Sequence, residues 1–362
     1  MIKILHVVGI MHFAGLETMI MNYYRNIDRN RFSFDFVVHS PKEGDYDKEI
    51  ESLGGRIYHA PVFRWYDHRE YSKWWKALLS EQKYDIIHSH NGGGAYVFFP
   101  IARKYGVKTI LHSHTDVKKR SLKFYLNKCR LNKACDFSTK FFACSESAGH
   151  YMFKKREFTI INNAIDQKKF EYNAALRDKV RKNLGLNDDV FLIGCVGRLC
   201  MIKNPFFSLK VFFEFKKRNT NAQLIFLGSG EMEAELKRNV SLLGLNDCVM
   251  ILPAQKNVNE FYMAMDCLLF PSLFEGLGMV AIEAQAAGLP VIMSDRVPQV
   301  AAIDNYKRIS LDAPIHDWID ALSFYENNNR CAGDKKKIAE LGFDIGLEAK
   351  FLMKEYEKIL DI

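Results

Sequence analysis

Two glutamates in the second half of the chain lie eight positions apart and flank a glycine-containing turn. Glu275 is followed by Gly276 and Gly278, and Glu283 lies in a helix predicted to begin at about Met279. A short apolar strand is predicted immediately before the turn. The first amides of a helix have no partner within it, so a strand, a turn and a helix start form a favourable anion site. Carboxylates beside such a site suit an anionic ligand that also carries hydroxyl groups, and a nucleotide-linked sugar has both.

Two basic residues follow another predicted strand. Arg198 comes directly after Gly197, and Lys203 lies five positions beyond Arg198. A guanidinium and an ammonium at this spacing could bind the two phosphates of a nucleoside diphosphate. Ordinary surface charges would give the same pattern. The Glu275 segment falls in the same predicted domain, however, and its presence favours phosphate binding.

Two His-x-His pairs end predicted strands in the first half of the chain. They are His88 with His90 and His112 with His114. Residues two apart in a strand share a face, so each pair presents both imidazoles on one side of the sheet. A metal hydrolase would use such pairs as ligands. No matching carboxylate cluster accompanies them, and the sequence therefore favours a role without a metal.

The triplet Asp45-Tyr46-Asp47 has the Asp-x-Asp form with which some enzymes hold a metal-bound nucleotide. It follows Gly44 and opens a predicted helix. Acidic residues are favoured at helix starts in any case, because they complement the helix dipole. We therefore expect a solvated helix start here.

A basic stretch occupies residues 117–133. Seven lysines or arginines are interleaved there with apolar residues such as Leu122 and Phe124. Such a segment suits an anionic membrane surface. A helix whose apolar face packs on its domain, with the charges solvated, fits the pattern equally well.

Length and composition restrict the class of protein. A chain of 362 residues is long enough for two domains, and 48% apolar with 26% charged residues is typical of globular proteins. The sequence has neither a basic-then-apolar leader nor an apolar run of membrane-spanning length, so we expect a cytoplasmic protein. Its eight cysteines form no Cys-x-x-Cys pair, which gives no indication of a zinc site or a disulfide framework. The net charge of +8 favours an anionic partner.

Strand and helix patterns alternate through both halves of the chain and predict two doubly wound parallel sheets. We expect an N-terminal domain at 1–168, a linker at 169–189, a second domain at 190–340 and a C-terminal helical segment at 341–362 that packs back on the first domain. Ligands of such sheets bind beyond the carboxyl ends of the strands, so a site in the cleft between facing domains is expected. The predicted strands are 3–8, 34–38, 56–58, 85–89, 109–112, 141–143, 191–196, 223–227, 249–251, 267–270 and 291–293.

These motifs resemble those of the retaining glycosyltransferases of family 4, and more narrowly those of bacterial exopolysaccharide and capsule synthesis. That family has the GT-B fold, in which two Rossmann-like domains face a cleft, and the resemblance runs nearly end to end. Glu275 to Pro290 resembles the family's Glu-x7-Glu signature, and Gly197 to Leu199 with Lys203-Asn204 resembles its diphosphate clamp. Further similar segments are Ala14-Gly15-Leu16-Glu17, Asn163-Ala164-Ile165-Asp166 and Phe226 to Glu231.

The resemblance implies a transferase that moves a hexose or N-acetylhexosamine from a nucleoside diphosphate sugar, expected to be UDP-linked, to a polyprenyl-diphosphate-linked glycan. It implies retention of the anomeric configuration, no metal, no cofactor beyond the donor co-substrate, no nucleic acid, and peripheral contact with the anionic inner face of the cell membrane. The expected catalytic residues are His112 (with His114 as the alternate), Arg198, Lys203 and Glu275. The expected donor-binding residues are Gly15, Gly197, Arg198, Lys203, Gly228, Val258, Glu275, Gly276, Leu277, Gly278, Met279, Val280 and Glu283.

Two other functions fit the same sequence. A sugar-nucleotide 2-epimerase or hydrolase also uses two Rossmann-like domains, and its product would be an epimerised nucleotide or a free sugar. A non-catalytic protein that binds nucleotide sugars or lipids is the third hypothesis. The presence together of Arg198, Lys203, Glu275 and Glu283 argues against this third hypothesis.

Overall fold

The computed structural model describes residues 1–64, 68–114, 122–327 and 330–362 of the chain. These residues form two compact units, one of Met1–Ile165 with Gly342–Ile362 and the other of Asp166–Leu341. Each unit is built on one parallel β-sheet with helices between its strands. The α/β class predicted from the alternating patterns is therefore confirmed.

A seven-stranded sheet forms the centre of the first unit. Its strands are β1 Ile2–Val8, β2 Phe32–Val38, β3 Ile57–His59, β4 Ile86–Ser89, β5 Lys108–Ser113, β6 Lys140–Ala143 and β7 Thr159–Ile160. All neighbours pair in parallel, in the order β3-β2-β1-β4-β5-β6-β7. The direction of strand addition reverses between β1 and β4, and ligands bind at the carboxyl ends of strands at such a switch point.

Both faces of this sheet are buried. Along β1, Ile4 and Val8 belong to one core, and Leu5 and Val7 belong to another. Alternate residues of a strand point to opposite faces, so a nearly continuous apolar run is what a sheet covered on both sides requires. The helices of this part of the chain are α1 Gly15–Asn26, α2 Asp47–Ser52, α3 Arg69–Glu81, α4 Gly92–Lys104, α5 Leu122–Asp136 and α6 Glu146–Phe153.

The second unit contains a six-stranded parallel sheet. Its strands are β8 Phe191–Val196, β9 Ala222–Leu227, β10 Val249–Leu252, β11 Cys267–Phe270, β12 Val291–Ser294 and β13 Tyr306–Ile309, in the order β10-β9-β8-β11-β12-β13. The switch point lies between β8 and β11. The helices are α7 Ala174–Asn183, α8 Pro205–Lys216, α9 Glu233–Leu242, α10 Val258–Ala264, α11 Met279–Ala286, α12 Ile315–Glu326 and α13 Lys335–Glu340, with 3-10 turns at Met201–Lys203 and Gln299–Ala301.

The segment 169–189, predicted from its polar composition to be a linker, contains α7 and belongs to the second unit. Arg177 Nη2 donates to Asp266 Oδ1 at 2.6 Å, and Arg181 Nη1 lies 3.3 Å from Asp266 Oδ2. The Arg181 side chain is 1% exposed and also donates to the carbonyl oxygen of Val190. These charge-assisted bonds fix α7 beside the carboxylate that precedes β11.

The C-terminal helix, α14 Ile345–Leu360, packs within the first unit. Its first turn is capped by the Asp344 side chain, which accepts the Leu347 N–H at 3.0 Å. Buried Leu352 and Tyr356 join the apolar core that α1 also lines. The Tyr356 hydroxyl lies 2.7 Å from His88 Nδ1, so α14 reaches the polar end of β4.

Within the described ranges, no helix combines the length and the apolarity needed to cross a lipid bilayer.

Candidate active site

In the second unit, two loops meet at the switch point of the sheet. One follows β8 and carries Lys203, and the other follows β11 and carries Glu275. The Leu273 N–H donates to the Ile202 carbonyl at 2.8 Å, which joins the two loops. Lys203 Nζ lies 2.6 Å from Glu275 Oε1, and the two side chains are 25% and 11% exposed. The fold therefore brings the expected ammonium and the expected carboxylate into direct contact.

Glycines let the loops after β8 and β9 approach closely. Gly228 has φ +150°, and a Cβ there would lie 2.0 Å from the carbonyl oxygen of Gly197. A Cβ on Gly230 would lie 2.2 Å from the carbonyl oxygen of Leu199. Gly197 itself has φ +136°. Only glycine fits the conformation and the space at Gly228, so these residues shape the backbone beside Lys203.

The Glu275 loop ends at a helix start that can bind an anion. Gly278 is the N-cap of α11 with φ +81°, a left-handed conformation that glycine adopts without steric cost. The Ala281 N–H bonds to the Gly278 carbonyl at 2.9 Å, and helix geometry leaves the amides of Met279 and Val280 without an acceptor inside the helix. Gly276 and Leu277 form the turn before this helix start. The predicted order of strand, turn and helix is therefore present.

Glu283 is the fifth residue of α11, just over one turn from its start, and faces α10, the helix that begins at Val258. The Tyr262 hydroxyl of α10 donates to Glu283 Oε2 at 3.0 Å. Burial raises the pKa of Glu283 to about 7, although the Tyr262 hydrogen bond and the charges of Lys169 and Lys203 oppose the shift. A carboxyl group with this pKa changes its charge near neutral pH. No sequence motif indicated Tyr262 as the partner of Glu283.

Arg198 is placed differently from Lys203. Its side chain is 72% exposed, and Nη2 donates to Glu231 Oε2 at 3.0 Å. Glu231 is also largely exposed and follows the glycine loop after β9. Arg198 therefore stands at the surface of the same loop system, where an exposed ion pair contributes little to stability and can exchange partners at low cost.

In the first unit, five histidines gather at the carboxyl ends of β1, β4 and β5. The sequence singled out four of them, and His6 of β1 is the fifth. His6 joins the cluster because the parallel register of β1 and β4 places it opposite His88. Ring nitrogens make two short chains. Nδ1 of His6 lies 2.9 Å from Nε2 of His90, Nδ1 of His90 lies 2.8 Å from Nε2 of His114, and Nε2 of His88 lies 3.1 Å from Nδ1 of His112.

His112 and His114 differ in exposure. His112 lies inside β5 and is fully buried, whereas His114 follows the strand and is partly exposed. Burial lowers the pKa of His112 well below its ordinary value and that of His114 to about 3, so both rings are neutral. His112 Nε2 is buried without a hydrogen-bond partner among the described atoms.

The loop after β1 leads to Gly15, the first residue of α1, and is held by the Asp-x-Asp triplet. Asp45 Oδ2 accepts the Phe13 N–H at 3.0 Å and lies 3.1 Å from His12 Nδ1. Asp47 is 8% exposed and accepts the Gly44 N–H at 2.8 Å. The expectation of a solvated helix start is therefore wrong for Asp47, because its carboxylate closes its own turn. Neither aspartate joins a cluster with metal-ligand geometry among the described residues.

The basic stretch 117–133 lies partly outside the described residues, which resume at 122 in α5. At the described end of this helix, Leu131, Ala134 and Cys135 pack in the first unit's core. The expected membrane contact through Lys118, Lys119 and Arg120 concerns residues outside the described ranges.

Two family models match the chain. The one described as Glycosyltransferase Family 4 matches residues 13–169, and the one described as Glycosyl transferases group 1 matches residues 177–340. Together they span most of the chain.

Individual relatives agree with these matches. A putative glycosyltransferase EpsF of Bacillus subtilis is 29% identical over 98% of this chain and 96% of its own length. The UDP-Gal:alpha-D-GlcNAc-diphosphoundecaprenol alpha-1,3-galactosyltransferase of Escherichia coli is 27% identical over 60% of this chain and 59% of its own. The crystal structure of Anabaena Alr3699/HepE in complex with UDP matches with a TM-score of 0.76 over 99% of this chain and 100% of that one, at 15% identity, and shares the fold.

These findings define the chain as a glycosyltransferase with the GT-B fold. More particularly, it is a glycosyltransferase of the family 4 type.

Proposed function

We propose that this enzyme is a retaining hexosyltransferase or N-acetylhexosaminyltransferase that takes its sugar from a UDP-linked donor and needs no metal for transfer. The proposed acceptor is a polyprenyl-diphosphate-linked glycan, in the synthesis of exopolysaccharide or capsule. The observation that carries the proposal is the contact between Lys203 and Glu275 at the switch point of the second sheet, beside the first amides of α11.

The chemistry of these groups suits a diphosphate leaving group. As the bond between the sugar carbon and the β-phosphate oxygen breaks, its electron pair passes to that oxygen. The acceptor hydroxyl oxygen forms the new bond to the sugar carbon, and its proton passes to the departing diphosphate. Lys203, Arg198 and the amides of Gly276 to Val280 supply positive charge and N–H donors for the developing negative charge. Fixed donors of this kind do the work that a divalent ion does in other enzymes.

The carboxylates provide acceptors for the donor's hydroxyl groups. Glu275 is assigned to the transferred sugar and Glu283 to the ribose. Glu275 already accepts from an ammonium at 2.6 Å, which fixes its orientation. Glu283 is oriented by Tyr262. Gly197, Gly228 and Val258 are assigned to the backbone that surrounds the nucleotide.

We assign the sugar-facing role in the first unit to His114, the alternate of the sequence prediction, in preference to His112. The His112 ring is fully buried, and its Nδ1 lies 3.1 Å from His88 Nε2, so a sugar cannot contact it without rearrangement. His114 lies beyond the end of β5 and is partly exposed. Its neutral ring suits contact with a sugar that gains positive charge.

Two relatives support the choice of substrates. The Anabaena structure contains UDP, and the E. coli relative is named for transfer from UDP-Gal to a sugar on diphosphoundecaprenol. A lipid-linked acceptor agrees with peripheral contact at the inner face of the cell membrane through the basic stretch 117–133.

A ligand panel tests the donor assignment. The purified enzyme is heated with UDP-, GDP- and dTDP-linked glucose, galactose and N-acetylglucosamine. A ligand present at a hundred times its Kd stabilises the folded state by about 2.7 kcal/mol, so the true donor should raise Tm measurably. Stabilisation by UDP-sugars above the others supports the proposal. A response confined to GDP- or dTDP-sugars would contradict the UDP assignment.

A further inference from the structure

The histidine cluster of the first unit contains two overlapping sets of three residues whose ring nitrogens lie within 4.8 Å of one another. One set is His6, His88 and His90, and the other is His90, His112 and His114. Proposed glycosyl transfer uses only His114. Of the remaining rings, those of His6, His88 and His112 are buried and that of His90 is partly exposed. Their concentration at one edge of the sheet suggests a second role.

We propose that His90, His112 and His114 form a binding site for one divalent transition-metal ion of the zinc type. Neutral imidazole nitrogen is a preferred ligand of zinc, copper and nickel. Zinc–nitrogen bonds of about 2.0–2.1 Å place neighbouring ligand atoms of a tetrahedral site roughly 3.3 Å apart. The 2.8 Å between His90 Nδ1 and His114 Nε2 is close to this spacing.

An unpartnered nitrogen supports this set of residues. His112 is fully buried, and its Nε2 has no hydrogen-bond partner among the described atoms. A buried polar atom without a partner is unfavourable, and a bound metal ion would satisfy it. The other nitrogen of His112 is already engaged with His88, as a ligand's second nitrogen should be.

One choice of tautomers prepares all three ligands at once. With the lone pairs on Nδ1 of His90 and Nε2 of His112 and His114, the opposite N–H groups face outward from the site. The His112 Nδ1–H then donates to His88 Nε2 at 3.1 Å, and the His88 Nδ1–H donates to the Tyr356 hydroxyl oxygen at 2.7 Å. The His90 Nε2–H donates to His6 Nδ1 at 2.9 Å. Outer contacts of this kind orient metal-binding imidazoles and raise their basicity.

The first set, His6, His88 and His90, is less suitable. Both nitrogens of His88 are committed, one to Tyr356 and one to His112. His6 and His88 are also fully buried, whereas His114 gives the second set an edge toward solvent. That partly exposed edge provides an entry path for the ion.

The ion is not needed for sugar transfer. Because His114 is the proposed sugar-facing residue, an ion bound there would lower transfer, and chelation would restore it. This consequence depends on the proposed function, whereas metal binding itself does not, so the test measures binding alone.

The test titrates untagged, chelator-treated full-length protein with Co²⁺ alone. We expect one Co²⁺ per chain, with the visible d–d bands of a low-coordinate site. A sulfur-to-cobalt charge-transfer band should be absent, because it would show that Co²⁺ binds to the free cysteines instead. Zn²⁺ should bleach these bands by competition. Elemental analysis of the equilibrated protein gives the stoichiometry independently.

Variants identify the ligands. His114→Ala and His114→Gln should each weaken Co²⁺ binding by at least about a hundredfold. Loss of a residue that only hydrogen-bonds to a metal ligand costs at most about that much, so a larger loss identifies a ligand. His150→Ala is the control, because His150 is exposed on α6. His6→Gln should retain a one-to-one site, since His6 belongs only to the other set. Circular dichroism and Tm without metal confirm that each variant is folded.

Three results would overturn the proposal. They are the absence of Co²⁺ bands in the parent protein, unchanged binding in both folded His114 variants, and loss of binding in His6→Gln while the His114 variants keep it. The last result would place the ion in the first set.

Discussion

Lys203 Nζ and Glu275 Oε1 lie 2.6 Å apart, although 72 positions separate the two residues in the sequence. The contact joins the loops that follow β8 and β11, the neighbouring strands at the switch point of the second sheet. Lys203 Nζ also lies 5.0 Å from the centre of the Phe270 ring, at the end of β11. The ammonium is thus held between an aromatic face and a carboxylate at the place where a diphosphate is proposed to bind.

Replacing either partner should remove most of the activity. Loss of one preorganised contact to developing charge costs roughly 3 kcal/mol, so Lys203→Ala and Glu275→Ala should each lower kcat/KM by about a hundredfold or more. The measurement is transfer from the donor that the ligand panel identifies.

Lys217→Ala provides the matched control, because Lys217 forms an exposed pair with Glu214 at 2.8 Å in the same unit. It should keep parental activity. If Lys203→Ala or Glu275→Ala keeps near-parental turnover with an unchanged Tm, the assignment of these residues to the donor site is wrong.

Gly228→Ala should disrupt the clamp through its backbone. The new Cβ would meet the Gly197 carbonyl oxygen at 2.0 Å, at a φ of +150° that other residues rarely adopt. We expect a lower Tm and loss of UDP-dependent stabilisation. Gly244→Ala is the control, since Gly244 has φ +68° but open space around its Cβ position. Equal effects of the two changes would show that close approach at Gly228 is unimportant.

Stability should depend on pH through Glu283. Burial raises its pKa from 4.5 to about 7, so between these values the folded protein retains a proton that the unfolded chain loses. The contribution of Glu283 to stability therefore falls as pH rises through this window and levels off above it. Glu283→Gln cannot titrate, so its Tm relative to the parent protein should rise between about pH 5 and about pH 8. A difference in Tm that stays constant with pH would contradict the assigned pKa.

Vesicle binding tests the membrane contact. Each basic residue near an anionic surface contributes about 1 kcal/mol. Neutralising four of them together should weaken binding to anionic vesicles, measured by sedimentation, by several kcal/mol at low salt. The difference from the parent protein should disappear as added salt shortens the electrostatic screening length below roughly 8 Å. The four are Lys118, Lys119, Arg120 and Lys123.

The control neutralises four exposed lysines of the second unit, Lys179, Lys182, Lys237 and Lys336. It has the same net charge as the test variant but should keep vesicle binding. Equal loss in both variants would mean that net charge alone governs binding. Equal binding of the parent protein to neutral vesicles would remove the electrostatic argument.

Apolar runs made most of the fold predictable. Eleven predicted strands have counterparts in the two sheets, because a sheet buried on both faces needs nearly continuous apolar segments. β7 and β13 were missed for local reasons. β7 has only two residues, and β13 reads Tyr-Lys-Arg-Ile at the edge of its sheet, where polar residues are tolerated.

The candidate site was predictable only as separate motifs. Glycine turns and charges identified the loops that carry Lys203 and Glu275, but their contact depends on β8 and β11 being neighbours. His6 was missed because it lies alone in an apolar strand, 82 positions before His88. The strand order and the parallel register bring the two together.

The central claim is retaining, metal-independent transfer from a UDP-sugar to a polyprenyl-diphosphate-linked glycan. The most direct measurement incubates the enzyme with excess EDTA, the UDP-sugar selected by the ligand panel, and a polyprenyl-diphosphate-linked N-acetylhexosamine. Mass spectrometry follows the acceptor, and NMR determines the anomeric configuration of the product. The account predicts an acceptor heavier by one sugar residue, joined with the same anomeric configuration as in the donor. An inverted linkage, strict dependence on added metal, or only free sugar or epimerised nucleotide with the acceptor unchanged would contradict it.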